Sequence, residues 1–269
     1  MTGEIFLETL RRHWRPALFW GIGFGMIVLL NVVAIPDVDA LQQMSGLLET
    51  MPPAILQLFG MTDFEYMATA EGYLGSQMFM LFVVIIGMYA ITAGLNVTAN
   101  DEERGIMDNV LALPIPRWQL VLERMLAFAL LMVGVLVVIF LIAWFSLIIT
   151  PTLEVDIGKL AVATLNALPS LLLLLAFTVL VGAVVRRRGL ALGIAIAFLA
   201  ASWLIDNLGQ AASGSVLADL RRFSFHAYYN GMAVLRDGLN VGNIIILLAA
   251  AVLAGGFSLI AYQRRDIGV

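Results

Sequence analysis

The stretch MLAFALLMVGVLVVIFLIAWFSLIITPTL, Met125 to Leu153, contains no Asp, Glu, Lys or Arg. A bilayer core about 30 Å thick is crossed by about 20 apolar residues in a helix rising about 1.5 Å per residue. This run is longer than that and lacks the alternation of a barrel strand, so it reads as a membrane-spanning helix. Five further charge-free runs flank it: Ala17 to Ile35, Gly72 to Asn100, Leu160 to Val185, Gly189 to Ile205 and Leu239 to Gln263. The spans fall at about 17–35, 74–99, 125–150, 160–185, 189–205 and 241–262. Only Glu154 to Lys159 separates the third run from the fourth, which calls for a tight helical hairpin with Pro151 near its turn. Asp206 ends the fifth run, so its outer end belongs in a polar recess. Glu4 and Glu8 spoil a basic leader, which argues against a cleaved signal peptide.

The whole chain agrees with this reading. It is 61% hydrophobic and 13% charged, where soluble domains carry about 25% charged residues. Fifteen basic residues against nineteen acidic ones leave a net charge of −4, which excludes a nucleic-acid surface. With no cysteine there is no disulfide framework, thiolate metal site or cysteine nucleophile. The two histidines, His13 and His226, are too far apart in sequence for a His-rich metal motif.

Arginine placement orients the bundle. Arg11, Arg12, Arg15, Arg104, Arg117, Arg124, Arg186, Arg187, Arg188, Arg264 and Arg265 fall on one side, and Lys159, Arg221, Arg222 and Arg236 on the other. The positive-inside rule then predicts both termini in the cytoplasm and an even number of spans. Residues 1–15 combine Ile5, Phe6, Leu7, Leu10 and Trp14 with Glu4, Glu8, Arg11, Arg12 and Arg15, an amphipathic helix suited to the inner interface; a simple charged anchor explains the same residues. In the outer loop Pro36 to Glu71, Leu41, Met44, Leu47 and Leu48, then Ile55, Leu56, Leu58 and Phe59, suggest two short surface helices. They either cap an exit path or only close the bundle. The outer segment Asp206 to Arg236 carries Phe223, Phe225, His226, Tyr228 and Tyr229, which read as interfacial anchors; ligand contact by His226 is the sharper alternative.

Between the second and third spans the chain reads Asp101-Glu102-Glu103-Arg104-Gly105-Ile106-Met107-Asp108-Asn109-Val110-Leu111-Ala112-Leu113-Pro114-Ile115-Pro116-Arg117. Ile106, Val110 and Leu113 recur at helical spacing, with Met107 and Leu111 beside them. The acidic start suits a helix N-terminus and the prolines stop it. A solvated loop has no internal reason to display such a face, whereas a groove in a partner protein supplies one.

At this point the sequence resembles the permease subunits of type-2 ABC transporters, mostly prokaryotic exporters. The resemblance rests on Glu103, Arg104, Gly105, Asp108, Leu111, Pro114, Ile115, Arg117 and Arg124, with departures at Ile106, where Thr is usual, and Asp108, where Glu is commoner. The ending Arg264-Arg265-Asp266-Ile267, the aromatic segment Phe223 to Tyr229 and the count of six spans extend it along the whole chain. It implies a coupling helix that docks on a separate ATPase through Glu102, Glu103, Arg104, Gly105, Ile106, Met107, Asp108, Val110, Leu111, Leu113, Pro114 and Arg117. It also implies two ATPase copies carrying ATP and Mg, a second permease copy or homologue, and residence in a prokaryotic cytoplasmic (inner) membrane. A phosphate-binding loop needs Gly-x-x-x-x-Gly-Lys-Ser/Thr. The sole lysine, Lys159, follows Gly158, but Leu153 and Leu160 stand where the first glycine and the hydroxyl residue belong. The chain is therefore expected to hold no nucleotide, no cofactor and no catalytic or metal site.

No acid or base lies deep in a span, which argues against an ion-coupled carrier. Asn31, Thr92, Asn96, Ser146, Thr164, Asn166, Ser170, Thr178 and Ser202 are polar positions within spans; helix–helix hydrogen bonding is their plain reading. Asn31, Phe79, Phe82, Asn96 and Asn166 are the candidate substrate path, with core packing as the plain reading for the two phenylalanines. Gly21, Gly23 and Gly25 favour close helix contact in the first span. The sequence thus predicts an all-α membrane protein: one permease domain over residues 1–269, with six transmembrane helices, an N-terminal interfacial helix, a coupling segment at 101–117 and outer helical segments. The function expected is export of an amphipathic or hydrophobic substrate; the alternative is a mechanotransmitting subunit that serves a periplasmic process without translocation.

Overall fold

A computed structural model describes residues 3–34, 46, 66, 69–98, 116–185, 187–211 and 216–264. Among these every regular element is helical. The coupling residues from Glu102 to Pro114 and the outer-loop residues from Leu41 to Phe59 lie outside them, apart from Gly46. Six stretches are long and apolar enough to cross a membrane: Glu4–Ala34, Ala70–Val97, Arg117–Ile149, Ile157–Val184, Arg188–Gln210 and Val241–Gln263. Six crossings return the chain to its starting side, and the contacts agree. Gly3 bonds to Glu123 near the start of the third span, and Ser258, near the end of the sixth, lies against Met125. We call this side the terminal face and the other the far face.

Helix α1 (Glu4–Ala34) runs without interruption through Pro16, so the amphipathic segment and the first span are one helix rather than two. Thr9, Ala17, Gly21, Phe24, Gly25, Val28 and Val32 form its buried stripe. The stripe packs on the third span, α4 (Arg117–Ile149). Gly21 and Gly25 make the approach possible: a Cβ on either would stand 3.0 Å from the Cβ of Val138 or Ile142. Gly23 meets nothing. Of the three glycines noted in the sequence, two therefore serve the helix contact and one faces outward.

The second and fourth spans form the buried centre, 67% buried each against 22–33% for the others. Both are broken toward the far face. The second divides into α2 (Ala70–Phe79) and α3 (Phe82–Val97) at Met80-Leu81, where Leu81 leaves helical geometry. The fourth divides into α5 (Ile157–Leu165) and α6 (Leu168–Val184). There Pro169 has no N–H to continue the ladder and stands in the first turn of the new helix, where none is needed. Helices α3 and α6 pack against each other over Gly94, where a Cβ would stand 2.6 Å from that of Thr178.

The fifth span, α7 (Arg188–Ala211), packs on α3 and α6 and continues past Asp206. Helix α8 (Val216–Leu220), a 3-10 turn (Arg221–Phe223), α9 (Phe225–Tyr229) and α10 (Gly231–Asp237) follow at the far face. The sixth span, α11 (Val241–Gln263), then lies along α6. Helix α10 packs against both α2 and α5, so the far-face halves of the two broken spans share it as a neighbour.

Two expectations change in detail. Phe225, His226 and Tyr229 are buried rather than set in the lipid boundary, and only Phe223 is largely exposed. The ring of Phe198 stacks between those of Phe177 and Phe225, which draws α9 inward. Thr92, Ser146, Thr164 and Thr178 donate to carbonyls three or four residues back in their own helices rather than across to a neighbour. Such back-bonding satisfies a short hydroxyl inside lipid without a partner helix.

Candidate coupling frame and far-face recess

Residues 99–115 lie between Thr98, which follows α3, and Pro116, the N-cap of α4. Their two flanks are joined. Arg124 donates through Nη1 to the carbonyl oxygen of Val97 at 3.1 Å, which ties the second turn of α4 to the last turn of α3. One turn of α4 is also bound to α1. Glu123 accepts from the backbone N–H of Gly3 and of Phe6, each at 3.2 Å, and from Gln119 at 2.8 Å. The carboxylate thus takes up amides that a helix start leaves unpaired, at the end of α1 where the macrodipole is positive. Arg117 is half-buried in the first turn of α4. The other residues expected to touch an ATPase, from Glu102 to Pro114, lie outside the described part.

A second cluster stands at the far face. Asp206, buried within α7, receives Arg221 Nε at 2.6 Å on one oxygen and faces His226 Nδ1 at 3.0 Å with the other. A buried charge survives only when paired and hydrogen-bonded, and this carboxylate has both partners. Below it Ser224 donates to the Ser202 carbonyl at 2.7 Å, and the Ser202 hydroxyl receives the His226 N–H at 3.0 Å. These bonds hold α9 against α7. Asn166, at the break in the fourth span, donates to the Tyr229 carbonyl at 2.7 Å and fixes the other end of α9. Asn230 then adopts a left-handed conformation, φ +33°, which turns the chain into α10. Gly231 follows because a Cβ there would stand 2.9 Å from that of Phe79.

These elements enclose a recess of about 200 Å³ that Asp206, Arg221, His226 and Tyr229 share with Phe79 and Arg236. Burial holds the Tyr229 phenol protonated, its pKa well above the usual tyrosine value. Of the candidate path residues, Phe79 lines the recess. Phe82 stacks edge-on behind it at 5.7 Å, and Asn166 braces α9. Asn31 bonds within α1 and accepts the Tyr73 hydroxyl on its carbonyl, and Asn96 sits near the terminal face, so neither joins the cluster. Sequence reasoning singled out Asp206 and His226 separately. It missed Arg221, Tyr229 and Glu123 as members of any site, since their partners are elsewhere in the chain.

The architecture defines a multi-pass helical membrane protein. The sequence model of the ABC-2 family transporter proteins matches residues 6–267. The chain belongs to that family; it is a transmembrane subunit of an ABC transporter, and this implies an ATPase partner. No curated protein matches the chain.

Proposed function

We propose that this subunit exports an amphipathic or hydrophobic substrate, driven by ATP hydrolysis on a separate ATPase that docks on segment 101–117. Two ATPase copies carry the ATP and Mg, and a second permease copy or homologue completes the path. The terminal face is cytoplasmic in a prokaryotic inner membrane, and this chain performs no catalysis. The observation that supports this reading is the join between Val97 and Arg124. A load applied to the segment between them enters α3 and α4 together, and Glu123 passes it to α1. Bonds to a charged group contribute about 1.5–3 kcal/mol each, enough to make the three helix ends respond as one lever.

Replacing Val110 and Leu111 by Asp puts two charges on the apolar face of the docking segment. The variant should insert in the membrane as the parent does and lose co-purification of the ATPase. Unchanged co-purification would overturn the docking assignment.

A further inference from the structure

The recess at the far face contains two buried polar atoms that form no hydrogen bond within the protein, Nε2 of His226 and Oη of Tyr229. His226 is 8% exposed and Tyr229 2%. A buried polar group without a partner costs about 1–3 kcal/mol, and two of them on one recess wall point to something that enters it. The chemistry of the wall says what.

The carboxylate of Asp206 fixes the tautomer. Nδ1–H is donated to Oδ2, which leaves Nε2 as the ring atom free to meet a ligand. The Tyr229 phenol, protonated, supplies a hydroxyl that both donates and accepts. A hydroxyl on a ligand answers both, since it can donate or accept at either atom. The cations of the wall carry their own counter-charges. Arg221 is paired with Asp206, and Arg236 with Asp237 at 3.0 Å. The two arginines therefore leave no unpaired charge for an ion to balance, and the amides of Asn207 and Gln210 add hydrogen-bonding groups. Phe79 and Met232 leave one side apolar. The volume of about 200 Å³ exceeds the roughly 150 Å³ that admits benzene.

We infer that this recess binds a neutral, hydroxyl-bearing group about the size of a six-membered ring, such as a sugar-like head group, with His226 and Tyr229 as its hydrogen-bonding pair. This deepens the transport reading by naming the polar end of the substrate, and rests on that reading only for the word substrate. Binding is tested without the ATPase, and docking is tested without the recess, so each can fail alone.

The experiment uses the full chain in lipid nanodiscs with 15N-labelled histidine. The chain has only two histidines, so His13→Gln assigns the spectrum. Methyl β-D-glucopyranoside, inorganic sulfate and tetramethylammonium are titrated in turn. The glucoside should move the His226 Nε2 resonance saturably, while the two ions leave it in place. Tyr229→Phe, which removes only an unpaired hydroxyl, should elute as a single species and weaken the glucoside about tenfold, as loss of one good hydrogen bond does. A saturable response to sulfate or to tetramethylammonium would overturn the neutral-ligand assignment. No saturable response to any probe would show that the recess is a packing feature. Unchanged affinity in Tyr229→Phe would remove that residue from the pair and defeat the two-atom assignment.

Discussion

Arg124 and the carbonyl of Val97, 3.1 Å apart, join the two helices that flank residues 99–115. The bond is short-range in space but closes over the residues proposed to dock. In the proposed mechanism this bond makes the ends of α3 and α4 move together when the ATPase pulls on the residues between them. The neighbouring Glu123 bonds to the start of α1, so the ends of α3, α4 and α1 are held together.

Arg124→Ala should therefore uncouple the subunit without unfolding it. Membrane insertion and ATPase co-purification should remain near the parent level, while ATP-driven transport in proteoliposomes falls severalfold. Transport at the parent rate would show that the join carries no load.

Reversing the charge at Glu103, as Glu103→Lys, should reduce transport more than it reduces the amount of inserted protein. The residue lies in the segment proposed to dock, between the charge-free runs that end at Asn100 and begin at Met125. Equal losses in both assays would indicate a folding role instead.

Asp206→Asn leaves the Arg221 guanidinium without its counter-charge. The Arg221 side chain is 36% exposed, so the cost falls below the roughly 3–5 kcal/mol of a fully buried pair. Thermal unfolding of the detergent-purified protein should shift downward by several degrees. A double change of Asp206→Asn with Arg221→Gln should recover part of the loss, and a larger additive loss would contradict the pairing.

Gly94→Ala places a methyl group 2.6 Å from the Thr178 Cβ and 3.0 Å from the Leu175 carbonyl oxygen. Overpacking of this kind costs about 1–3 kcal/mol. Gly23→Ala meets open space and should be neutral, or stabilising by up to about 1 kcal/mol through helix propensity. Equal thermal stability of the two variants would mean that α3 and α6 do not approach as described.

Because the chain has no cysteine, single cysteines report sidedness directly. Thr152→Cys in the hairpin and Val269→Cys at the C-terminus should be labelled from opposite sides of right-side-out vesicles by an impermeant maleimide, the first from outside. Labelling of both from one side would break the six-span arrangement.

Residue identities carried much of the architecture by themselves. A charge-free run such as Met125 to Leu153 has one stable solution in lipid, because its backbone groups must be satisfied within the segment. The hairpin followed from the shortness of Glu154 to Lys159, and the polar end of the fifth span from Asp206. What the pattern did not reveal were the breaks at Met80-Leu81 and Asn166-Ala167. Hydropathy is blind to a turn that stays apolar, and Pro169 was visible only as a residue inside a greasy run.

The candidate sites divide along the same line. Spacing and residue type alone named the docking segment, since an amphipathic face is a property of consecutive residues, and hydropathy alone counted the spans. The far-face recess needed tertiary structure. Asp206, Arg221 and His226 are fifteen and twenty positions apart, and Glu123 meets Gly3 across most of the first half of the chain. A carboxylate declares its charge in the sequence, but its partner is chosen by which helices lie side by side, and packing between distant segments makes that choice.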